Sequence, residues 1–439
     1  MAIYIFLLIG VVFIGIPLCS EKCGKSGRII YCCAAAAVFI FISAMRFQVG
    51  YDYNSYGGMY FNMKYRELED LVYSRTEKGF LLPLYVLNLG FESYTTIFVY
   101  TSIIIYTAVF YLIYKNSSNP WISVAAYLCF GLFFNSLCFL RQVTAALIVA
   151  YALQYIDKKF PIRLMVLVIA AAAFHWSALI MLLLVFLLKI KPGYIYLGIV
   201  TVGTILFCMF SRSLMMWVID NFYMYKGYNP ETSREASMGL PPKYTIMFGA
   251  LFIICFAFRK QLIKKNPANA VYINCLMYTV VFEAMGMRHA ILSRLAIIPY
   301  IAPVLYMTPD LVSVVKEYVS EKFSGRGVKW VQFTSVCSMI CLSLFFGGSY
   351  IMLMLDNYNG VVPYVSQIDK PNEIFVEEII NEEDSDEEWN DDWGDEEEWD
   401  SEEWDDEWDS EEWGDEEWDE EFDEEEFEDE ILDQLLNIS

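Results

Sequence analysis

The sequence predicts an all-α fold: a polytopic integral membrane protein of roughly 10–13 transmembrane or re-entrant helices, followed by a disordered acidic C-terminal tail. Two observations lead there. Hydrophobic residues make up 56% of the chain and gather into long runs, as a bilayer requires of its crossing helices. Charge is segregated: 35 of the 55 acidic residues follow position 380 with no Lys or Arg among them, so the net charge of −25 belongs to the tail and the body before it is basic. An acidic total is then no guide to what the body binds, and no nucleic-acid partner is expected. Positions 1–355 form the membrane domain, 356–380 a juxtamembrane segment and 381–439 the tail.

A crossing helix needs about 20 apolar residues. In chain order the apolar runs are Ala2 to Leu18, Ile29 to Met45, Thr95 to Tyr114, Trp121 to Phe134, Leu140 to Ile156, Ile162 to Leu188, Tyr194 to Phe210, Tyr244 to Phe258, Ala270 to Met287, Leu295 to Thr308 and Val328 to Leu355. Gly79 to Phe91 is shorter and interrupted by Pro83. No cleavable signal peptide is expected, because the first run starts at residue 2 without a basic segment and leads into further spans. Most of the 11 cysteines sit inside apolar runs and read as small apolar residues. Cys19 and Cys23 lack the further ligands of a zinc site, and no metal is assigned.

Basic residues mark five cytoplasmic loops: Lys22, Lys25 and Arg28; Lys158, Lys159 and Arg163; Lys189 and Lys191; Arg259, Lys260, Lys264 and Lys265; Lys316, Lys322, Arg326 and Lys329. Simple alternation of single crossings cannot place all five on one side. Parity is restored if Gly79 to Phe91 dips in and returns or lies at the interface, and if Ile162 to Leu188 is a re-entrant pair turning near His175. Irregular backbone at that depth requires surrounding protein or a water-filled cavity. The outer face then carries Arg46 to Lys78, Asn135 to Arg141, the neighbourhood of His175, Arg212 to Lys243 and Arg288 to Arg294, and with them both histidines, His175 and His289.

That face holds the candidate chemistry. Arg46, Gly50, Asp52, Tyr53, Asn54 and Tyr56 follow the second span: Arg46 offers a planar fork for phosphate, and Asp52 can accept a proton or bind hydroxyls. An Arg–Asp pair snorkelling at a helix end explains the same residues without function. Arg141 and Gln142 open a helix whose positive end adds to the attraction for an anion, or anchor that helix at the interface. His175, after the alanines Ala170 to Ala173, is a candidate acid or base within the membrane, or a structural hydrogen-bonding group. Glu77 precedes the short apolar segment, and Arg288 and Arg294 fit a diphosphate clamp or a topology anchor. Trp217, Tyr223, Tyr225 and Tyr228 suit sugar recognition or an interfacial aromatic belt.

Taken in order, Arg46-x-x-x-Gly50-x-Asp52-Tyr53-x-x-Tyr56, Glu77-x-Gly79-Phe80, Asn135, Arg141-Gln142, Phe174-His175-x-Ser177-Ala178-Leu179, Arg294 and Tyr300 make the chain resemble the EpsG family of bacterial membrane proteins, Wzy-like polymerases of oligosaccharide repeat units. The resemblance covers the body from Met1 to about Thr308. It departs from the family in the long tail and in Gln-Val-Thr after Arg141. It implies a multi-pass glycosyltransferase of the bacterial cytoplasmic membrane that joins polyprenyl-diphosphate-linked repeat units into exopolysaccharide or capsule, using neither metal nor nucleotide sugar and no cofactor. Its partners would be a lipid-linked glycan donor and acceptor, membrane lipids, and the polysaccharide export or chain-length machinery. Arg46, Arg141 and Arg294, helped by Tyr53, Tyr56, Glu77, Gln142 and Arg288, would bind substrate, and Asp52 or His175 would orient or deprotonate the acceptor hydroxyl. The rival readings are a transporter or flippase of the same substrate and a membrane acyltransferase.

Seven of the 11 Trp fall in the tail, at 389, 393, 399, 404, 408, 413 and 418, at spacings that keep no helical face, and like charges four apart oppose a helix. Mutual repulsion predicts disorder. A solvated appendage is the simple reading and a docking strip for a basic partner the sharper one. A single crossing by Val328 to Leu355 would put this tail outside with the active face.

Overall fold

The computed structural model describes residues 1–74, 76–156, 161–221, 239–326 and 328–369. The chain divides into a unit spanning Met1–Glu383 and a second, Asp384–Ser439, that lies outside the described residues, as does Lys158-Lys159 and most of the aromatic loop before Lys243. Among the described residues the regular secondary structure is helical apart from one isolated β-bridge, Arg46 with Ser366. Among the described residues, five helices are long and apolar enough to cross a membrane: Gly24–Ala44, Thr95–Asn116, Tyr194–Ser211, Ala290–Phe323 and Val328–Leu355. Two bent helix pairs bring the number to seven if each is one span. Large apolar side chains point outward all along these helices, Phe41, Ile104, Ile195, Met209 and Leu344 among them, which water would penalise and lipid does not. The protein is a multi-pass membrane protein.

Several expected spans are shorter or more broken than their hydropathy implied. Trp121 to Phe134 is two helices, Pro120–Cys129 and Leu132–Cys138, bent by 62° where Gly131 takes a left-handed conformation at φ 76°. Tyr244 to Phe258 is a helix, Lys243–Ala257, that turns by 71° into the basic helix Arg259–Lys265. Leu295 to Thr308 belongs to a longer helical stretch with a π segment at Pro303–Met307, where proline supplies no N–H and the hydrogen-bond register slips. Ile162 to Leu188 breaks at His175 into Ile162–Ala172 and Ile180–Leu187, joined by a 3-10 turn at Trp176–Leu179. The first of these has 11 residues, about 17 Å of rise against a hydrocarbon core of about 30 Å. Lys78–Asn88 is equally short, with Pro83 inside it.

The long helices pack side by side. Gly24–Ala44 lies along Thr95–Asn116, Leu140–Ala152 is held between Ile162–Ala172 and Ile297–Ala302, and Lys243–Ala257 packs on Asn269–Gly286. The ends sort by charge. Gly24–Ala44 starts beside Lys25 and runs to Arg46; Leu140–Ala152 runs away from Arg141; Val328–Leu355 starts at Lys329 and ends at Asp356; Lys243–Ala257 starts beside Asp356 and ends at Arg259. In these helices the basic ends at Lys25, Arg259 and Lys329 are therefore opposite the ends at Arg46, Lys243 and Asp356.

After Val328–Leu355 the chain folds back over that second end. Gly360 O accepts from Gly50 N at 3.1 Å, Asn359 O from Tyr51 N at 3.2 Å, Val365 O from Phe47 N at 3.0 Å, and Met45 O from Gln367 N at 2.9 Å. Tyr364 donates to Ile42 O at 2.8 Å. Residues 358–367 thus form a strap pairing with residues 45–51.

Candidate functional site

Glu77 is the centre of the constellation. Its backbone caps Lys78–Asn88, and its side chain, 3% exposed, turns inward to meet two partners. Oε2 accepts a hydrogen bond from Arg141 Nη1 at 2.6 Å, and Oε1 lies 2.8 Å from His175 Nδ1 and accepts from Trp176 N at 3.1 Å. Burial by itself would push this carboxyl up; the His175 hydrogen bond and the Arg141 charge outweigh it and hold the group down at about 2. An ionised carboxylate has no proton to give, so His175 Nδ1 is the donor and Nε2 is the ring nitrogen directed away from Glu77. Arg141 and His175 keep 32% and 28% of their side-chain surface exposed, so both still face the open side of the site.

The close approach of helix to turn explains Gly79. Its N–H donates to Ala173 O at 2.8 Å, and a Cβ there would stand 2.6 Å from that oxygen. Only glycine lets the start of Lys78–Asn88 sit against the end of Ile162–Ala172, which brings Glu77 to His175. The next contacts extend the network: Gln142 Nε2 donates to Ser177 Oγ at 3.2 Å and to the Arg294 carbonyl, and the buried Tyr56 hydroxyl lies beside Arg141. Pieces scattered from position 56 to 294 therefore converge on one place.

Other candidates take different positions. Arg46 has no exposed surface: Nη1 donates to Ser43 O at 2.6 Å and Ser43 Oγ at 2.9 Å, Nη2 donates to Leu137 O at 3.1 Å, and its guanidinium lies over Phe98, 4.7 Å from the ring centroid. The fork expected to face phosphate is thus turned into the protein, where it ties the end of one helix to the turn before Arg141. Tyr53 is also interior, stacked on Phe98 at 4.1 Å and donating to Arg46 O at 3.2 Å. Asp52 is half-buried before Tyr53–Asn62, near Tyr56 and Cys138. Gly50, at φ 101°, gives the chain the turn between Arg46 and Asp52. Arg288 is exposed, whereas His289 is buried with Nε2 3.1 Å from Ser211 Oγ.

Beside the network lies a cavity of about 310 Å³. Arg294 and Phe139 line it on the network side; Glu283, Tyr244, Asn135 and Tyr358 line the rest. Asn135 Oδ1 accepts from Asn359 Nδ2 of the strap at 2.8 Å, and Asp356 joins Lys243 and the Tyr244 hydroxyl at the rim. Sequence reasoning missed Glu283, Asp356 and the strap. Glu283 had a signal, an acidic residue inside the apolar run Ala270 to Met287. The strap had none, since its pairing is backbone to backbone.

The family model described as the EpsG family matches residues 29–366, past the expected limit near Thr308 and through most of the strap. No curated protein and no solved structure matches the chain.

Proposed function

The chain belongs to the EpsG family, with a role in polysaccharide biosynthesis, and from that premise we propose that it is the membrane glycosyltransferase that polymerises polyprenyl-diphosphate-linked oligosaccharide repeat units. The observation that carries this reading is the meeting of Glu77, Arg141 and His175 at one end of the helix bundle, with Gln142 and Arg294 adjoining. A carboxylate–imidazole pair orients a base, and neighbouring guanidinium groups attract a diphosphate.

In this mechanism a hydroxyl of the acceptor glycan attacks the anomeric carbon of the donor. The new C–O bond forms as the bond from that carbon to the diphosphate oxygen breaks, and the electron pair leaves with polyprenyl diphosphate. His175 Nε2 takes the hydroxyl proton, while Glu77 fixes the ring and stabilises the imidazolium. Arg141, whose guanidinium has N–H groups beyond the one spent on Glu77, and Arg294 neutralise charge developing on the leaving group. Arg46 is a positioning residue, holding the Leu137 carbonyl four residues before Arg141. Asp52, near Tyr56 on the same side, orients the acceptor hydroxyl. The active face and the acidic tail are extracytoplasmic in this reading, at the bacterial cytoplasmic membrane, with export or chain-length machinery as partners.

Purified protein in lipid nanodiscs, given lipid-linked repeat units, is expected to produce a ladder of longer glycans with release of polyprenyl diphosphate. Translocation without a ladder, or acyl modification of the glycan, would replace this reading with a carrier or an acyltransferase.

A further inference from the structure

The cavity holds an ionisable group that the mechanism above leaves idle. Glu283 is 7% exposed near the C-terminal end of Asn269–Gly286, and among the described residues its carboxyl group has no hydrogen-bond or ion-pair partner. Its carboxyl opens onto the cavity, and closing that space over it with no partner would cost about 1–3 kcal/mol or more. Ionisable residues inside a membrane bundle are kept where a ligand or a path uses them. The Asp356–Lys243 pair stands at the rim, and what surrounds Glu283 further in is not a plain apolar wall. Tyr244, Tyr300 and Tyr358 contribute aromatic surface, and the bonded pair Asn135 and Asn359 contributes amide edges.

That combination of the Glu283 carboxyl, amides and tyrosine rings, with the ion-paired Asp356 at the rim, matches a sugar, which offers hydroxyls around its edge and C–H groups on its faces. Leu240, Pro241, Phe248 and Ile297 make much of the remaining lining apolar, but a polyprenyl chain has no hydroxyl for Glu283 or the amides, and these polar groups disfavour the lipid as occupant. The volume, at the small end of ligand pockets of about 300–1,000 Å³, suits part of a glycan rather than a whole repeat unit. Position selects which part. Arg294 lines the cavity, its guanidinium lies 5.6 Å from the centroid of Phe139 on the same wall, and its carbonyl receives Gln142 from the network. A group in the cavity is therefore a neighbour of a diphosphate held by Arg141 and Arg294.

We propose that the cavity is the subsite for the donor sugar bonded directly to the diphosphate, with the Glu283 carboxyl group accepting hydrogen bonds from that sugar's ring hydroxyls. The inference rests on the polymerase reading and specifies where that enzyme reads its donor. Glu283 is then a specificity residue: it touches substrate and takes no proton in the transfer step.

The test uses the full chain in nanodiscs with lipid-linked donors, natural or lacking a single hydroxyl on the sugar next to the diphosphate. Wild type is expected to lose about tenfold or more in kcat/KM with the deoxy donor that lacks the contacted hydroxyl. Glu283→Ala is expected to raise the donor KM by a similar factor, to keep most of kcat, and to treat natural and deoxy donors alike. Glu283→Gln keeps the side-chain volume and is expected to fall between. If the alanine variant does not survive purification, Glu283→Gln is judged by the same loss of discrimination between natural and deoxy donors. Undiminished discrimination in the Glu283 variants overturns the subsite and leaves the polymerase reading standing. Failure of wild type to lengthen any donor overturns the polymerase reading, and the subsite with it.

Discussion

Glu77 Oε1 and His175 Nδ1 lie 2.8 Å apart, although 98 positions separate them in the chain. The carboxylate lies below its ordinary range, so the sign of its pH dependence is fixed. Its contribution to stability is fully present above about pH 4.5 and is lost as pH falls through that value toward about 2. Wild-type protein is expected to lose Tm over that window, and Glu77→Gln, which is already without the contribution, to show a flatter profile. At neutral pH, chain joining by Glu77→Gln and His175→Ala is expected to fall by about 10²–10⁴-fold. Wild-type rates in both variants would return the pair to a structural role.

Arg46 should behave as an interior residue. Arg46→Ala strands Leu137 O and Ser43 O and opens a void against Phe98, so it is expected to lower stability by about 2–4 kcal/mol. Arg46→Lys retains the charge but cannot span both carbonyls and is expected to recover only part of the loss. Thermal melting in detergent checks both. An unchanged Tm with lost activity would favour direct contact with diphosphate instead.

Gly79→Ala places a methyl group against the Ala173 carbonyl. The contact is with backbone on both sides, so one helix must move, and the expected cost is about 1–3 kcal/mol. Because the displacement separates Glu77 from His175, kcat is expected to fall more than the loss of folded protein explains. Melting and turnover measured on one preparation separate the two effects.

Two truncations should diverge. Ending the chain after Lys370 removes the acidic tail and keeps the strap, and repeat-unit joining is expected to persist in the purified assay. Ending it after Leu355 removes Tyr358, Asn359 and the backbone pairing with residues 45–51, and joining is expected to be lost while the helices still insert. Equal activity in both would exclude the strap from the site.

Impermeant thiol labelling of single cysteines tests orientation. Replacements at Lys264 and Lys322 are expected to react only from the cytoplasm, and those at Asn54 and Arg288 only from outside. Labelling of Asn54 and Lys264 from the same side would separate the candidate site from the outer face.

The sequence carried the membrane class, the helix positions and most members of the network, because hydropathy and charge are local properties. An interruption of Ile162 to Leu188 near His175 was legible from the parity of basic loops, and a helix break lies there. Directions of side chains were not legible. Arg46 and Arg141 both follow a membrane boundary and look alike in sequence, yet Ser43 and Leu137 turn one inward while Glu77 leaves the other partly open. Glycine fixes the bend at Gly131, but a glycine inside an apolar run does not announce its φ. Asn359 meets Asn135 across 224 positions, a pairing that no spacing rule contains.

The strap also sets an order of assembly. Its partners in the first fifth of the chain enter the membrane early in synthesis, whereas Tyr364, 322 positions beyond Ile42, emerges only after the last long helix. The cavity wall at Tyr358 and Asn359 is thus the last part of the body to be built, and a partly translated or prematurely terminated chain holds the arginines without the pocket beside them. Synthesis of the last long helix and completion of the cavity wall thus fall close together, and a chain that stops at Leu355 would hold Asn135 without its Asn359 partner.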